Sequence, residues 1–277
     1  MASRPSDVTE GGIAAEVRAL QRLPQSVQAF AADYPQGHVI DLHRHSRAQL
    51  LHAESGLMAI EAASASWLIP PGVALWVPPG MPHEVRAVTA ISMRTLYVRP
   101  DAAAGLAEHC RAIAVGPLLR ELIFRAVSFS PHYAADSREG RLMAVILDEV
   151  REQPDAPLNL PLPRDRRARR VADALVADPA DGRPIEEWAS VTGASARTLA
   201  RIFREQTGLS FGQWRQRRRL LTALERLAAG EAVTLVALDL GYSSPSAFAA
   251  MFRRALGHPP SQYLRHPEER RRSRKRW

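Results

Sequence analysis

The chain has 277 residues, 46% apolar and 24% charged, enough for two domains with cores of their own, and that balance excludes a mainly disordered chain. A single cysteine, Cys110, excludes an intramolecular disulfide and a thiolate zinc cluster, and no apolar run reaches the roughly 18 residues of a membrane span. The formal net charge of +8 is unevenly spread: residues 1–160 carry −3 and residues 161–277 carry +11, so a polyanion-binding module is expected in the second half.

The opening "MASRPSDVTEGG" reads as a linker and lacks the apolar core of a signal peptide, so a cytoplasmic protein with no membrane partner is expected. Residues 34–98 read as short strands: "HVIDLHRH", "AQLLHAE", "LMAIEA", "SWLIP", "ALWVPP" and "AISMRTLYV". Gly56, Ser64–Ser66, Pro70–Gly72 and Pro79–Gly80 separate them, a pattern of many short strands that suits a β-sandwich or barrel. The period then changes. "PLLRELIFRAVSF" and "EGRLMAVILDEVREQ" fit amphipathic helices, with Leu118, Leu122, Phe124 and Val127, then Leu142, Val145, Ile146 and Val150, recurring at three and four. Two such helices either complete the core of a small sheet or pair two copies of the chain. "PDAPLNLPLP", with four prolines in ten residues, cannot continue a helix and marks the domain boundary, giving domains 1–160 and 161–277.

After the boundary, helices are predicted over 166–177, 184–191, 196–206, 210–228, 233–239, 245–256 and 260–265, punctuated by Gly193, Gly208, Gly230, Gly241 and Gly257. Gly193 permits a tight turn after Ile185, Trp188 and Ala189, and Ser195 is a natural N-cap for the next helix. Leu199, Ile202 and Phe203 share that helix's inner face, which leaves Arg197, Ala200, Arg201 and Arg204 outside. The same pattern returns about 50 residues on, with Gly241, the cap Ser244, Pro245 at the first helical position and Phe248, Met251 and Phe252 inward. These are two helix-turn-helix units. The helix between them, about eighteen residues or 27 Å long, is a rod able to hold two reading heads near one DNA turn apart, roughly 34 Å. Trp188 and Trp214 read as packing residues. The basic residues of Arg270–Arg272 and Arg274–Arg276, Lys275 among them, make the tail either a nonspecific phosphate contact or a solubilising extension.

"GASARTLARIFREQTG", "SFGQWRQRRRLLTALERLAAG" and "VALDLGYSSPSAFAAMFRRALGHPPSQYL" resemble the DNA-binding domain of the AraC/XylS family of transcriptional regulators, over about residues 164–266. That resemblance implies a sequence-specific regulator of double-stranded DNA and no enzymatic activity, acting as activator or repressor, with contact to RNA polymerase required for activation. It implies base readers at Arg197, Ala200 and Arg201 in the first unit, and at Pro245, Ser246, Ala249 and Ala250 in the second. Two arginines suit guanine edges, whereas Ser246, Ala249 and Ala250 offer one hydrogen bond and contact with a thymine methyl. Most specificity is therefore expected from the first unit, with Arg253 and Arg254 on phosphates and Arg204 and Arg215 adding to the DNA surface. Arg215, Arg217, Arg218 and Arg219 cannot all face one way, so some are expected on backbone or acidic neighbours.

In the first half, "HRHSRAQLLHAESG" and "GVALWVPPGMPH" look like the two short motifs of the cupin barrel. The expected fold is thus mixed: an N-terminal cupin-like β-barrel with flanking helices, then an all-α domain with two helix-turn-helix units joined by a linking helix. The cupin metal positions fall on His43, His45 and His83, but the carboxylate position holds Gln49, a weaker neutral ligand. No cofactor is required, and a divalent transition metal on the three histidines is the open addition. The same pocket, with His43, His45, Gln49, Trp76 and His83, is expected to take a small-molecule effector; Trp76, Trp67, Met58, Met81 and Tyr97 either line or underpin it or, as expected for most of them, belong to the core. Across its length the chain is similar to a subgroup that includes a regulator of nitroimidazole resistance and efflux genes, which implies a neighbouring transporter gene as target; a homodimer paired through the two middle helices is the expected acting form. Two rival readings are a metal-dependent cupin enzyme with a DNA-targeting appendage, and a repressor whose front domain only dimerises.

Overall fold

The computed structural model describes residues 10–62, 65–156, 158–256 and 259–262. The tail arginines, residues 1–9, the turn residue Ser64, Pro157, Gly257 and residues 263–265 of the last expected helix lie outside them. The chain divides into two compact units, Met1–Ala156 and Pro157–Trp277.

The first unit opens with α1 (Glu10–Gln21), continues through β1 (Val27–Tyr34), β2 (Val39–His43), β3 (Ala48–Ser55), β4 (Met58–Ala62), β5 (Ala65–Ile69), β6 (Val73–Val77), β7 (His83–Ala87), β8 (Ile91–Val98) and β9 (Arg111–Ala114), and ends with α2 (Pro117–Ala126) and α3 (Arg138–Glu152). The strands pair antiparallel in two sheets, one ordered β1-β8-β3-β6-β9 and the other β2-β7-β4-β5. Gly56 makes the β3–β4 turn possible: it holds φ +83°, and a Cβ there would lie 2.1 Å from the Ala90 carbonyl oxygen.

The expected cupin-like barrel is not present. Both sheets are open, because closing a barrel requires the free edges to pair. Among the described residues β1 pairs with β8 alone and β2 with β7 alone, so these consecutive strands are edges of different sheets. Short alternating strands specify which side chains face inward, but a sandwich and a barrel make the same demand on them. Four elements have no counterpart in the sequence reading: α1, β1, β7 and β9. β1 is Ala-rich, β7 ("HEVRA") is mostly polar, and β9 is only four residues long, so none carries a strong β signal.

The larger sheet buries one face against α2 and α3. Ala48 and Leu50 of β3, Trp76 of β6 and Leu96 of β8 share this core with Leu119, Ile123, Met143, Ile146 and Val150. Trp76 belongs here, its indole N–H donating to the Ala107 carbonyl at 2.9 Å. The buried stripe of α2 runs through Leu119, Ile123 and Ala126, which leaves Leu118 56% exposed, and Val145 of α3 is 44% exposed. Ser137 caps α3 by accepting from the Gly140 N–H at 3.1 Å.

The second unit is helical: α4 (Arg166–Ala177), α5 (Ile185–Thr192), α6 (Ala196–Thr207), α7 (Phe211–Ala228), α8 (Val233–Asp239) and α9 (Pro245–Leu256), with a 3-10 turn at Pro260–Gln262. Val171, Leu175, Trp188, Leu199, Ile202 and Phe203 form one core with Phe211 and Trp214 from the start of α7. The Trp214 indole N–H donates to the Pro161 carbonyl at 2.7 Å.

His52 of β3 is fully buried, and neither ring nitrogen has a hydrogen-bond partner. Burial first, then the charges of Arg120 and Arg94, push its pKa down to about 3. The unfolded chain, with a histidine pKa near 6.5, takes up a proton that the folded chain refuses. The stability that neutral His52 brings is therefore complete above about pH 6.5 and is lost progressively as pH falls from there toward about 3. Denaturant unfolding of the full chain between pH 7 and 4 should show a shallower loss of first-unit stability for His52→Leu than for the wild type. Equal acid slopes would assign the effect to another group.

Candidate nucleic-acid interface and effector cavity

Each helix-turn-helix unit is built by the same local devices. α5 ends at Gly193, φ +68°, and its N–H bonds back to the Ala189 carbonyl. The Ser195 hydroxyl accepts from the Thr198 N–H at 3.1 Å and starts α6. Leu199, Ile202 and Phe203 are buried, while Arg197, Ala200, Arg201 and Arg204 are exposed. Arg201 donates to the Glu205 carboxylate at 2.7 Å in an exposed ion pair, whereas Arg197 and Arg204 carry no ion pair among the described residues. In the second unit Gly241 holds φ +76°, and the Ser244 hydroxyl accepts from the Ala247 N–H at 3.1 Å before Pro245 opens α9. Phe248, Met251 and Phe252 are buried; Ser246, Ala250, Arg253 and Arg254 are exposed, and Ala249 is half-buried.

Ser210 and Gln213 form a reciprocal capping box at the start of α7. Its arginines are engaged within the unit. Arg215 donates to the Arg183 carbonyl at 2.9 Å, Arg217 to the Asn159 side-chain oxygen at 2.9 Å, and Arg218 to the Val176 carbonyl at 3.1 Å. Arg219 donates to the carbonyls of Pro179 at 2.8 Å and Ala180 at 2.9 Å.

The first unit contains a cavity of about 680 Å3, within the range of small-molecule sites. α1 contributes Val17, Arg18 and Gln21 to its wall, β1 contributes Phe30 and Tyr34, and the strand β2 and its following turn contribute Ile40, His43 and His45. Gln49, Leu51, Val85, Met93 and Tyr97 also line it. Trp76 lies on the opposite face of its sheet, and Met58, Trp67 and Met81 are not among the lining residues. Arg18, Gln21 and Tyr34 went unnoticed in the sequence because α1 and β1 did, and no motif surrounds them. Among the described residues, neither polar atom of the buried Gln21 carboxamide has a hydrogen-bond partner, and neither does the buried Nε2 of His45.

His43, His45 and His83 converge, each offering a ligand atom within 4.8 Å of the others. Burial, reinforced by the neighbouring His43 and His83, pushes the His45 pKa down to about 3. Burial likewise lowers His83 to about 4, against a raising bond to the Met81 carbonyl. Both rings are therefore neutral at physiological pH, the form that binds metals. Gln49 is fixed by two bonds from its amide nitrogen, to the Thr95 hydroxyl at 3.0 Å and the Tyr97 hydroxyl at 3.2 Å, which turns its oxygen toward His83 Nε2 at 3.0 Å. His83 Nδ1 faces the Met81 carbonyl, also at 3.0 Å. A neutral imidazole has one N–H. In either tautomer one ring nitrogen of His83 presents a lone pair to an oxygen, and with the proton on Nδ1 a cation between Nε2 and the Gln49 oxygen removes that conflict. The donor set of three imidazoles and one amide oxygen fits a divalent transition metal.

Residues 188–266 match the family described as a helix-turn-helix domain, and residues 25–145 match the AraC-like ligand binding domain. The HTH-type transcriptional regulator NimR of Escherichia coli (strain K12) is 33% identical over 223 residues, covering 80% of this chain and 81% of that protein. The HTH-type transcriptional regulator RipA of Corynebacterium glutamicum is 43% identical over 103 residues, 37% of this chain and 31% of its own length. The regulatory protein SoxS of Escherichia coli (strain K12) is 40% identical over 80 residues, 28% of this chain and 75% of its own. Among the described residues no helix is long and apolar enough to cross a membrane. The chain belongs to the AraC family of transcriptional regulators, proteins that bind DNA sequence-specifically through helix-turn-helix units and are not enzymes.

Proposed function

We propose that this regulator is switched by a small molecule bound in the first unit, and that its target is a neighbouring transporter or efflux gene, as in the nitroimidazole-resistance subgroup it resembles. The observation that carries the effector reading is the cavity, where the buried, unpartnered Gln21 carboxamide and His45 Nε2 await partners that a ligand would supply. A ligand switches the protein only by binding one arrangement better than another. In this reading the first domain also dimerises, and the exposed Leu118 and Val145 on α2 and α3 support a contact between two copies there. α6 reads bases through Arg197, Ala200 and Arg201, flanked by Arg204, and α9 adds Ser246, Ala249 and Ala250, with Arg253 and Arg254 on phosphates. Arg215 holds the Arg183 carbonyl through one N–H, which leaves its other donors for a DNA phosphate. Contact with RNA polymerase would make the protein an activator; occlusion alone would make it a repressor. A divalent metal on His43, His45 and His83, with Gln49 as the fourth donor, would order the cavity floor.

Genomic fragments captured by the purified chain should cluster beside its own gene or a transporter gene, and affinity for the best fragment should shift when transporter substrates are added. Constant affinity across the whole compound set would leave an effector-independent regulator. On that fragment, Arg201→Ala should cost about 1–3 kcal/mol and relax one base preference. Arg253→Ala should weaken all sequences alike and reduce the salt slope by about one. If both variants behave the same way, the sorting of base and phosphate contacts is wrong. Titration of chelator-treated protein with Zn2+ or Ni2+ should show about one tight site per chain, absent in His45→Ala. Equal binding by that variant would remove the histidine cluster as the metal site.

A further inference from the structure

We infer that Arg219 is a positioning residue that fixes the angle between the two recognition helices, an inference that rests on the reading that α6 and α9 both enter the operator. α7 is the element both heads share. Its first turn, with Phe211 and Trp214, sits in the core of α4, α5 and α6, and further along it packs on α8. A helix of this kind sets the separation of the heads along its axis. The rotation of α8 and α9 around that axis depends on contacts off the axis, and Arg219 makes one.

Its Nε and Nη2 donate to the carbonyls of Pro179 and Ala180, in the loop between α4 and α5 of the first head. The same guanidinium lies over the ring of Tyr242, 5.7 Å from its centroid, in the turn of the second head. Tyr242 meets Phe248 edge-on at 5.3 Å, and Phe248 is the fully buried anchor of α9. Gly241 completes the seat. A Cβ at that position would lie 3.0 Å from the Ala180 oxygen and 3.3 Å from Arg219 Nη2, so the loop of one head and the turn of the other approach closely here. Arg215, Arg217 and Arg218 differ, since their bonds end on Arg183, Asn159 and Val176, all on the first-head side of α7. A second head held at the right angle binds as an intramolecular event with a high effective concentration, and a loosened one loses that advantage without losing any DNA contact.

The test uses the full chain and an operator selected from random DNA, with derivatives in which one box is scrambled or the two boxes are moved apart by a base pair. Arg219→Met keeps the aliphatic stem and removes every donor. It should lower the two-box over one-box affinity ratio about tenfold or more, flatten the spacing penalty, and leave one-box affinity within about twofold. Arg218→Met, which removes a clamp inside the first head, should leave the ratio unchanged. Should Arg219→Met prove unfolded by circular dichroism, Arg219→Lys, which cannot span two carbonyls and the ring together, carries the same expectation. A folded Arg219 variant that retains the wild-type ratio and spacing penalty overturns the inference, as does an equal fall in one-box and two-box binding. A wild type with no two-box advantage would instead overturn the two-head reading itself, and the role of Arg219 with it.

Discussion

Carbonyls that leave helices and strands still need donors, and in both units of this chain arginine supplies them. Arg47, 2% exposed, reaches the last residue of α1 and the segment after it, donating to the carbonyls of Gln21, Leu23 and Gln25. In the second unit Arg217, Arg218 and Arg219 do the same for Asn159, Val176, Pro179 and Ala180. A guanidinium has five N–H groups in a fixed fork and no acceptor, so one side chain satisfies several oxygens that no ladder reaches. The cost is a partly buried charge: burial is the largest influence on Arg47, Arg217, Arg218 and Arg219, and it lowers the pKa of each. The accepting carbonyls offset part of that cost, and the charges of Asp101 on Arg47, Glu225 on Arg218, and Asp178 and Asp181 on Arg219 offset more of it.

The consequences differ between the units. In the first, the Arg47 clamp anchors the end of α1, the helix that contributes Val17, Arg18 and Gln21 to the cavity wall. Arg47 stands two residues after His45, so the wall helix and the histidine cluster are tied to the same short stretch of chain between β2 and β3. The two sheets are not joined by strand pairing, and the bond between Gln49 of β3 and His83 of β7 crosses from one to the other. Both of the edge strands β1 and β2 line the cavity, through Phe30 and Tyr34 and through Ile40 and His43.

The helical unit was legible in the sequence almost throughout, because its signals are local. Gly193 and Gly241 take left-handed conformations, Ser195 and Ser244 cap, and apolar residues recur at three and four; none of these depends on a distant partner. The histidine cluster was legible for the same reason, as spacing within two short motifs. What failed depended on long-range pairing. Whether β1 and β2 close a barrel is decided between strands, and the inward face of α2 is set by the sheet beneath it, so Leu119 is buried and Leu118 is not. Trp76 looked like a pocket residue until its strand's two faces were assigned. That some α7 arginines meet backbone was legible from their spacing, and Arg215, Arg218 and Arg219 do; which of them do so was not, since charge alone does not distinguish a phosphate contact from a carbonyl clamp.

That distinction changes what the basic charge of the second half means. Of the arginines there, those on α7 are engaged by the fold, and the cations left exposed near the recognition helices are Arg197, Arg201 and Arg204 on α6 and Arg253 and Arg254 on α9. The two heads are unequal. α6 offers long, hydrogen-bonding side chains at its outer positions, whereas α9 offers Ser246, Ala249 and Ala250. Small side chains gain little from a groove unless the backbone behind them is brought close and held at a set angle, because a thymine-methyl contact is short-ranged and tolerates no gap. In the proposed reading the weaker head therefore depends more on orientation than the stronger one does. On that reading, a rigid connection between the heads would let residues as modest as two alanines and a serine contribute to the choice of sequence.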